Sequence, residues 1–163
     1  VPDGQALAKA RELAARVAAN GPLAVAGIKA SVWAAEELPE AEAFARELEI
    51  GMGVMASADA LIHGSAAETF GLVLAEALCS GTPLVIPDAG ASATFAGPGY
   101  AETYRAGDAA EGAAAILRLL SGDRAAQSKA ALAAADAHVF TVEQHFARLF
   151  EIYERIVADR STS

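Results

Sequence analysis

The first third of the chain has apolar residues at helical spacing and predicts only helices. We expect a first helix over residues 1–20, a second that begins at Pro22, and a third over Glu40–Ile50 that is followed by a loop at Gly51–Gly53. Residues three or four positions apart lie on one side of a helix, so each helix has an apolar face. The apolar positions are Leu7, Ala10, Leu13, Ala14 and Val17, then Leu23, Val25, Ile28, Val32 and Trp33, and then Phe44 and Leu48, which should point inward.

The middle of the chain predicts a strand, a helix and a second strand, in that order. Ala60–His63 is a short apolar run stopped by a glycine, and Leu84–Ile86 is another, between two prolines. Runs this short are typical of buried strands. Because a strand, a helix and a strand with tight loops form a parallel pair joined by a right-handed crossover, we expect half of a Rossmann-like unit.

Start and stop residues mark the ends of this central helix. Ser65 and Glu68 have the spacing of a capping box, which announces a helix, and Gly81 followed by Pro83 stops one. Glu68 should therefore lie at the junction of the loop and the helix. The apolar residues at helical spacing are Phe70, Val73, Leu74, Ala77 and Leu78.

The remaining residues predict one more strand and three helices. The strand is expected over Ala101–Arg105 and the helices over residues 108–120, 122–137 and 141–158, with Asp108 as the cap of the first. The tail that follows should fray. The residues expected to face inward are Ala113, Ile116, Leu117 and Leu120, and then Phe146, Leu149, Phe150, Tyr153, Ile156 and Val157.

These elements predict a small three-layer α/β fold. It has a Rossmann-like parallel sheet of about three strands, flanking helices (about seven in total) and an all-helical N-terminal third. The length of 163 residues fits one domain, or one and a half. Apolar residues make up 54% of the chain but aromatic residues only 6%, so the core should be built from small side chains.

The net charge of the chain argues against some classes of partner, and its cysteine content indicates a cellular compartment. A net charge of −9 and a pI near 4.7 argue against nucleic acid or an anionic membrane as a partner. We find no signal-peptide pattern and no apolar run near the ~20 residues that span a membrane. The single cysteine, Cys79, should lie on the apolar side of the central helix, and without a disulfide framework we expect a cytoplasmic location. His63, His138 and His145 lack metal-ligand spacing, so no metal site is expected.

Glu68 and Glu76 are the side-chain pair that suggests chemistry. Residues eight positions apart lie on one stripe of a helix, so both carboxylates should face the same side. The start of a helix also offers free N–H groups and the positive end of a dipole to an anion. The residues alone leave an alternative open, in which Glu68 only completes the capping box and Glu76 is a solvated carboxylate.

The segment Glu68–Glu76, which reads ETFGLVLAE, resembles the Glu-x7-Glu motif of the retaining GT-B glycosyltransferases. The surrounding stretch, ASADALIHGSAAETFGLVLAEALCSGTPLVIPDAG, is similar to the nucleotide-sugar domain of that family. Phe140–Glu143 and the long closing helix also resemble the end of the domain. The resemblance implies a hexosyl-type transferase with a nucleotide diphosphate sugar as donor ligand, and with neither cofactor nor metal.

The resemblance also implies roles for individual residues. Glu68 would be the catalytic residue that contacts the transferred sugar, and Glu76 would accept hydrogen bonds from the ribose hydroxyls. The N–H groups at the start of the central helix would receive the diphosphate. The further residues of the implied substrate-binding site are Phe70, Gly71, Leu72, Val73 and His63.

The N-terminal third resembles a different family. The Val-Pro-Asp-Gly start, the segment AANGPLAV at 18–25, and Phe44 and Glu49 followed by Val54-Met55 are similar to the C-terminal helical segment of the crotonase (enoyl-CoA hydratase) family. The catalytic glutamates and oxyanion-hole amides of that family belong to an earlier part of its fold. No hydratase chemistry is therefore implied for this segment.

We predict a composite or chimeric chain, with a crotonase-like helical segment at 1–55 and a partial GT-B domain at 56–163, packed as one unit. The GT-B family draws an arginine and a lysine from upstream strands, but neither residue type occurs between Arg46 and Arg105, and we recognise no acceptor-binding domain. The expected function is donor binding without transfer by this chain alone. The alternatives are an engineered or fused scaffold without a ligand, and a hydratase-derived helical element that forms a homo-oligomer through its apolar faces.

Overall fold

The structure is a computed structural model that describes the backbone of residues 1–161 and the side chains as far as Asp159. Its contacts divide the chain into two compact units, Val1–Ala58 (unit 1) and Asp59–Ser163 (unit 2). Thr162 and Ser163, the end of the tail expected to fray, lie outside the described residues.

Unit 1 consists of helices, as the sequence predicts. They are α1 (Ala6–Ala18), α2 (Pro22–Glu37) and α3 (Glu40–Ala56). Helix α2 begins at a proline, whose fixed φ suits the first turn of a helix. Helices α2 and α3 pack closely because Gly27 has no side chain: a Cβ there would lie 3.1 Å from Ile50 Cγ2 and 3.2 Å from Val54 Cγ2.

Two predictions for unit 1 are wrong. The loop expected at Gly51–Gly53 is part of α3, because neither glycine adopts a positive φ. A glycine inside a helix costs about 1 kcal/mol but does not by itself end the helix. The apolar faces are not inward either, since none of residues 1–58, all of which the structure describes, is buried, and Trp33 is 61% exposed. The reason is that extensive packing within this unit is confined to the α2–α3 pair.

Unit 2 contains the parallel sheet. Its elements are β1 (Leu61–Ile62), α4 (Leu72–Cys79), β2 (Leu84–Pro87), a short 3-10 helix (Ala91–Phe95), β3 (Ala101–Tyr104), α5 (Ala109–Leu120), α6 (Arg124–His138) and α7 (Val142–Ser161). Within the described part of the chain, three strands form one sheet in the order β1–β2–β3, all parallel. This sheet and the seven α-helices found between residues 1 and 161 confirm the predicted small Rossmann-like α/β fold.

The core of unit 2 is centred on β2, which is buried along its whole length. Val85 packs with Tyr104 of β3 and with Ala115 and Leu119 of α5. Successive side chains of a strand point to opposite faces, so the neighbours of Val85 point toward the other face of the sheet. Helix α4 packs against β2 and α6, and its buried residues are Leu74, Ala77 and Leu78. The sheet is therefore the middle of three layers.

The buried face of α5 differs from the prediction. Its buried residues are Gly112, Ala115 and Leu119, with Ile116 half-buried, instead of Ala113, Ile116, Leu117 and Leu120. This face packs against Val85 and Tyr104 of the sheet, and the ring of Tyr104 lies directly over Gly112. A Cβ on Gly112 would lie 3.5 Å from Cδ2 of that ring.

Two further predictions of burial in unit 2 are wrong. Cys79 is exposed, because α4 buries the side of the helix opposite to it. The apolar stripe of α7 is also exposed apart from the half-buried Leu149, because no described element packs extensively against this helix. Phe146 and Phe150 of the stripe stack on each other with 6.3 Å between ring centroids. Among the described helices, none is both long and apolar enough to cross a membrane.

A hydrogen bond across the sheet should contribute measurably to stability. The Tyr104 hydroxyl donates to the backbone carbonyl of His63 at 2.8 Å and ties the end of β1 to β3. Tyr104→Phe should lower the free energy of unfolding by about 1 kcal/mol, because the carbonyl loses its donor. Urea unfolding followed by circular dichroism measures the change. Tyr153→Phe, at an exposed position of α7, is the matched control, and equal stability of the two variants would contradict the prediction.

Candidate functional site

The candidate site lies at the edge of the sheet where the parallel strands end. His63 directly follows β1, and the loop 64–71 leads from it to the start of α4. The loop 88–90 follows β2 at the same edge. In open α/β sheets, ligands bind outside the carboxyl ends of the strands. The fold thus places most of the predicted site residues at the edge where a ligand is expected.

The carboxylate of Glu68 organises the loop before α4. Its Oε1 atom accepts hydrogen bonds from the N–H groups of Thr69 at 2.9 Å, Phe70 at 3.2 Å and Gly71 at 3.0 Å. These three bonds, the one from Gly71 foremost, hold the pKa of the Glu68 carboxyl below its ordinary value of 4.5, and His63 lowers the pKa further by a smaller amount. Glu68 is therefore held as a carboxylate.

The predicted capping box does not form. Ser65 Oγ accepts the N–H of Ala67 at 3.2 Å, and the helix begins only at Leu72. Glu68 therefore lies in the loop, and the prediction that it shares one helical stripe with Glu76 is wrong. The physical reason is that the carboxylate binds the backbone that follows it, which closes a local turn in place of the first helical turn.

Gly71 is the point where the loop becomes a helix. It adopts a left-handed conformation with φ +69°, and its carbonyl accepts the N–H groups of Leu74 and Ala75, both at 2.9 Å. A Cβ at this position would lie 2.6 Å from Cε2 of Phe95. Both the backbone angle and the close contact require glycine.

Two N–H groups at the start of α4 remain available to an anion. Helical geometry leaves the N–H groups of Leu72 and Val73 without an acceptor in the helix, and none of the described residues supplies another. The Gly71 N–H, by contrast, already donates to Glu68. Glu76 is exposed one turn after Leu72, on the same side of the helix. The helix start and Glu76 can therefore be reached from solvent together.

His63 is close to Glu68 but does not hydrogen bond to it. Its Nε2 atom lies 3.6 Å from Glu68 Oε2, and the two side chains are 12% and 23% exposed. Nε2 is buried and has no hydrogen-bond partner among the described residues. The backbone of His63 is fixed, because its N–H donates to the Val85 carbonyl at 2.9 Å and its carbonyl accepts the Tyr104 hydroxyl.

Apolar and aromatic side chains cover one side of this loop. Phe70 and Leu72 are 79% and 71% exposed, and they line a cavity of about 440 Å³ next to the start of α4. Phe95 and His138, which also line the cavity, stack with 4.8 Å between ring centroids. This side offers rings to a ligand, whereas the N–H groups of the helix start offer hydrogen bonds.

Three residues outside the predicted set of site residues shape the site. Gly90, with φ +71°, brings the loop after β2 so close to Ala66 that a Cβ would collide with the Ala66 carbonyl oxygen. Phe95 packs on Gly71, and Tyr104 holds His63. Residues 89–99 are rich in glycine, which is a sequence signal for a turn-rich loop. Tyr104 had a further signal, since it lies one residue before the end of the predicted strand Ala101–Arg105, at the edge of the sheet where ligands are expected.

Comparison with known proteins defines the family. The model of the family described as "Glycosyl transferases group 1" matches residues 38–135, which is more than half of the chain. The chain therefore belongs to the group 1 glycosyl transferases. The match begins inside the segment with crotonase-like sequence, so the domain boundary at residue 56 stays a prediction.

A second similarity concerns a different kind of protein. The chain is 55% identical over 60 residues to the enoyl-CoA hydratase EchA19 of Mycobacterium tuberculosis, and this match covers 37% of the chain and 23% of the hydratase. The chain thus spans less than a quarter of the length of this curated relative. Both resemblances inferred from the sequence, to glycosyltransferases and to the crotonase family, are confirmed.

Gly71→Ala should destabilise unit 2. A methyl group would force a left-handed alanine and would press against the Phe95 ring, so we expect the free energy of unfolding to fall by about 1–3 kcal/mol. Gly64→Ala in the same loop is the matched control, because Gly64 has open space around its Cα and no positive φ. Urea unfolding measures the stability of both variants. Equal stability of Gly71→Ala and Gly64→Ala would refute the prediction.

The stabilising effect of Glu68 should depend on pH. A lowered pKa in the folded state means that the carboxylate stabilises the fold above pH 4.5, and that this contribution is lost as the pH falls through the folded-state pKa. Glu68→Gln should therefore be less stable than the wild type at neutral pH, and the difference should shrink in acid. Unfolding curves over this pH range measure it. A difference that stays constant with pH would show that the charge of Glu68 does not matter.

Proposed function

We propose that unit 2 binds the nucleotide diphosphate sugar donor of a retaining GT-B glycosyltransferase at the start of α4. The observation that carries the proposal is the exposed helix start, where the N–H groups of Leu72 and Val73 have no acceptor in the described part of the chain. A helix start with free N–H groups favours phosphate binding. Membership of the group 1 glycosyl transferases supports a donor of this class.

In this proposal each predicted residue has one role. The diphosphate lies at the free N–H groups of α4, and Gly71 allows its close approach. Glu76 accepts hydrogen bonds from the ribose, because its carboxylate is exposed on the same side of the helix as Leu72. Glu68 contacts the transferred sugar through Oε2, since Oε1 is occupied by backbone N–H groups. Phe70 and His63 border the site.

We further propose that this segment binds the donor without transferring the sugar by itself. The sequence between Arg46 and Arg105 contains neither lysine nor arginine, so the diphosphate would be held mainly by the helix start. Such an interaction contributes about 0.3–1 kcal/mol at exposed sites, which predicts weak binding. We also propose that the chain is composite in origin. A cytoplasmic location is proposed as well, because the single cysteine provides no disulfide framework.

Ligand-induced stabilisation tests the proposed function. Thermal unfolding is followed with and without millimolar UDP, GDP and their sugar conjugates, on the wild type and on Glu76→Ala. A ligand present at ~100 times its dissociation constant should add about 2.7 kcal/mol and raise the melting temperature by several degrees. We expect a shift with one nucleotide that is lost in Glu76→Ala.

The matched control for this experiment is Glu151→Ala, at an exposed carboxylate of α7 that should leave the shift intact. If no nucleotide or conjugate shifts the wild type, donor binding is excluded and the scaffold without a ligand is favoured. A shift that survives in Glu76→Ala would reject the assignment of Glu76.

Self-association is a second candidate function, and the exposed apolar faces of unit 1 favour it. Leu13, Val17, Ile28 and Trp33 are all about half exposed or more. A second copy of the chain would bury such faces in a symmetric dimer. Size-exclusion chromatography with light scattering should show a dimer that Trp33→Ser weakens. A monomer at every concentration would contradict this candidate.

A further inference from the structure

In the pair formed by His63 and Glu68, one carboxylate oxygen has its hydrogen bonds, whereas the histidine Nε2 that faces the other oxygen has none among the described residues. Glu68 Oε1 accepts three backbone N–H groups, whereas Glu68 Oε2 faces the buried and unpartnered Nε2 of His63 at 3.6 Å. A separation of 3.6 Å exceeds the usual hydrogen-bond length of about 2.7–3.2 Å. Buried polar atoms are rarely left without a partner, and those that are call for an explanation.

Other contacts fix the positions of both residues. The distance between Nε2 and Oε2 is therefore set by the fold. The N–H of His63 is bonded to Val85 and its carbonyl to Tyr104, in and beside the sheet. Glu68 is held by the backbone of its own loop, and Gly90 packs against that loop at Ala66. Two side chains that are fixed in this way meet with a defined geometry.

We propose that His63 is a positioning residue for Glu68: its Nε2–H directs the free carboxylate oxygen toward the sugar of the bound donor. The inference deepens the proposed function and rests on it. Catalytic hydrogen bonds are often long without substrate and shorten when it binds. A movement of a few tenths of an ångström would bring Nε2 and Oε2 into hydrogen-bond distance and would satisfy the buried nitrogen.

The positioning role of His63 should affect the binding of the sugar and not the binding of the nucleotide. The diphosphate and ribose are assigned to the start of α4 and to Glu76, which make no contact with His63 that the structure records. Loss of His63 should therefore weaken the binding of a sugar conjugate and leave the binding of the free nucleotide unchanged. A purely structural role of His63 would affect both ligands equally.

Two variants separate these roles. His63→Leu removes the donor at similar side-chain volume, and His63→Gln keeps an N–H donor near the position of Nε2. With His63→Leu we expect the affinity for the sugar conjugate to fall by about ten- to a hundredfold, because a hydrogen bond to a charged group is lost. The affinity for the free nucleotide should stay unchanged. His63→Gln should restore most of the loss. Glu151→Ala, at an exposed position of α7, is the control. Calorimetry with both ligands measures these affinities.

A second measurement needs no ligand. The carboxyl carbon resonance of Glu68 is followed by NMR from acid to neutral pH, in the wild type and in His63→Leu. Among the described residues, Glu68 is the carboxylate within ion-pair distance of His63, so the pH dependence of its resonance should differ between the two proteins. An unchanged titration of Glu68 in His63→Leu would overturn the inference.

The outcomes distinguish the inference from the proposed function. Equal losses for the sugar conjugate and the free nucleotide in His63→Leu would also overturn the positioning role, while donor binding would stand. If the wild type binds no nucleotide at all, the proposed function fails and the sugar-directing role fails with it. The NMR titration would then still establish whether the two side chains are paired.

Discussion

One carboxylate oxygen that accepts three successive backbone N–H groups determines the geometry of this site. By binding the N–H groups of Thr69, Phe70 and Gly71, Glu68 uses the hydrogen-bonding capacity that would otherwise begin a helix. The helix must then start later, after a left-handed glycine. As a result, the free N–H groups lie at Leu72 and Val73, and the other oxygen of Glu68 faces His63.

The local elements of unit 2 could be predicted because their signals are local. The second and third strands, the stop at Gly81 and the cap at Asp108 appear in the structure as the sequence predicts them. Each depends on residues within a few positions of one another. The cap is an example, since Asp108 accepts N–H groups from Ala110 and Glu111.

Features that depend on distant residues could not be predicted in this way. The start of α4 is fixed in part by Phe95, which follows Gly71 by more than twenty positions and leaves no room for a side chain there. The inward face of α5 is the one that meets Val85 and Tyr104, which precede the helix in the chain and lie in two different strands. The burial predicted for unit 1 and for α7 failed for a related reason, because periodicity shows which face is apolar but not whether anything covers it. At the site, the resemblance supplied the residues and only the structure supplied their distances.

The position of Trp33 has a practical consequence for the study of this chain. It is the single tryptophan of the sequence, and it lies in α2 of unit 1, largely exposed. Tryptophan emission therefore reports on the surroundings of α2 in unit 1. The sheet has its own chromophores in the buried rings of Tyr100 and Tyr104, whose near-ultraviolet dichroism depends on ordered packing. The two units thus carry separate intrinsic optical probes, and their unfolding transitions can be distinguished without a label.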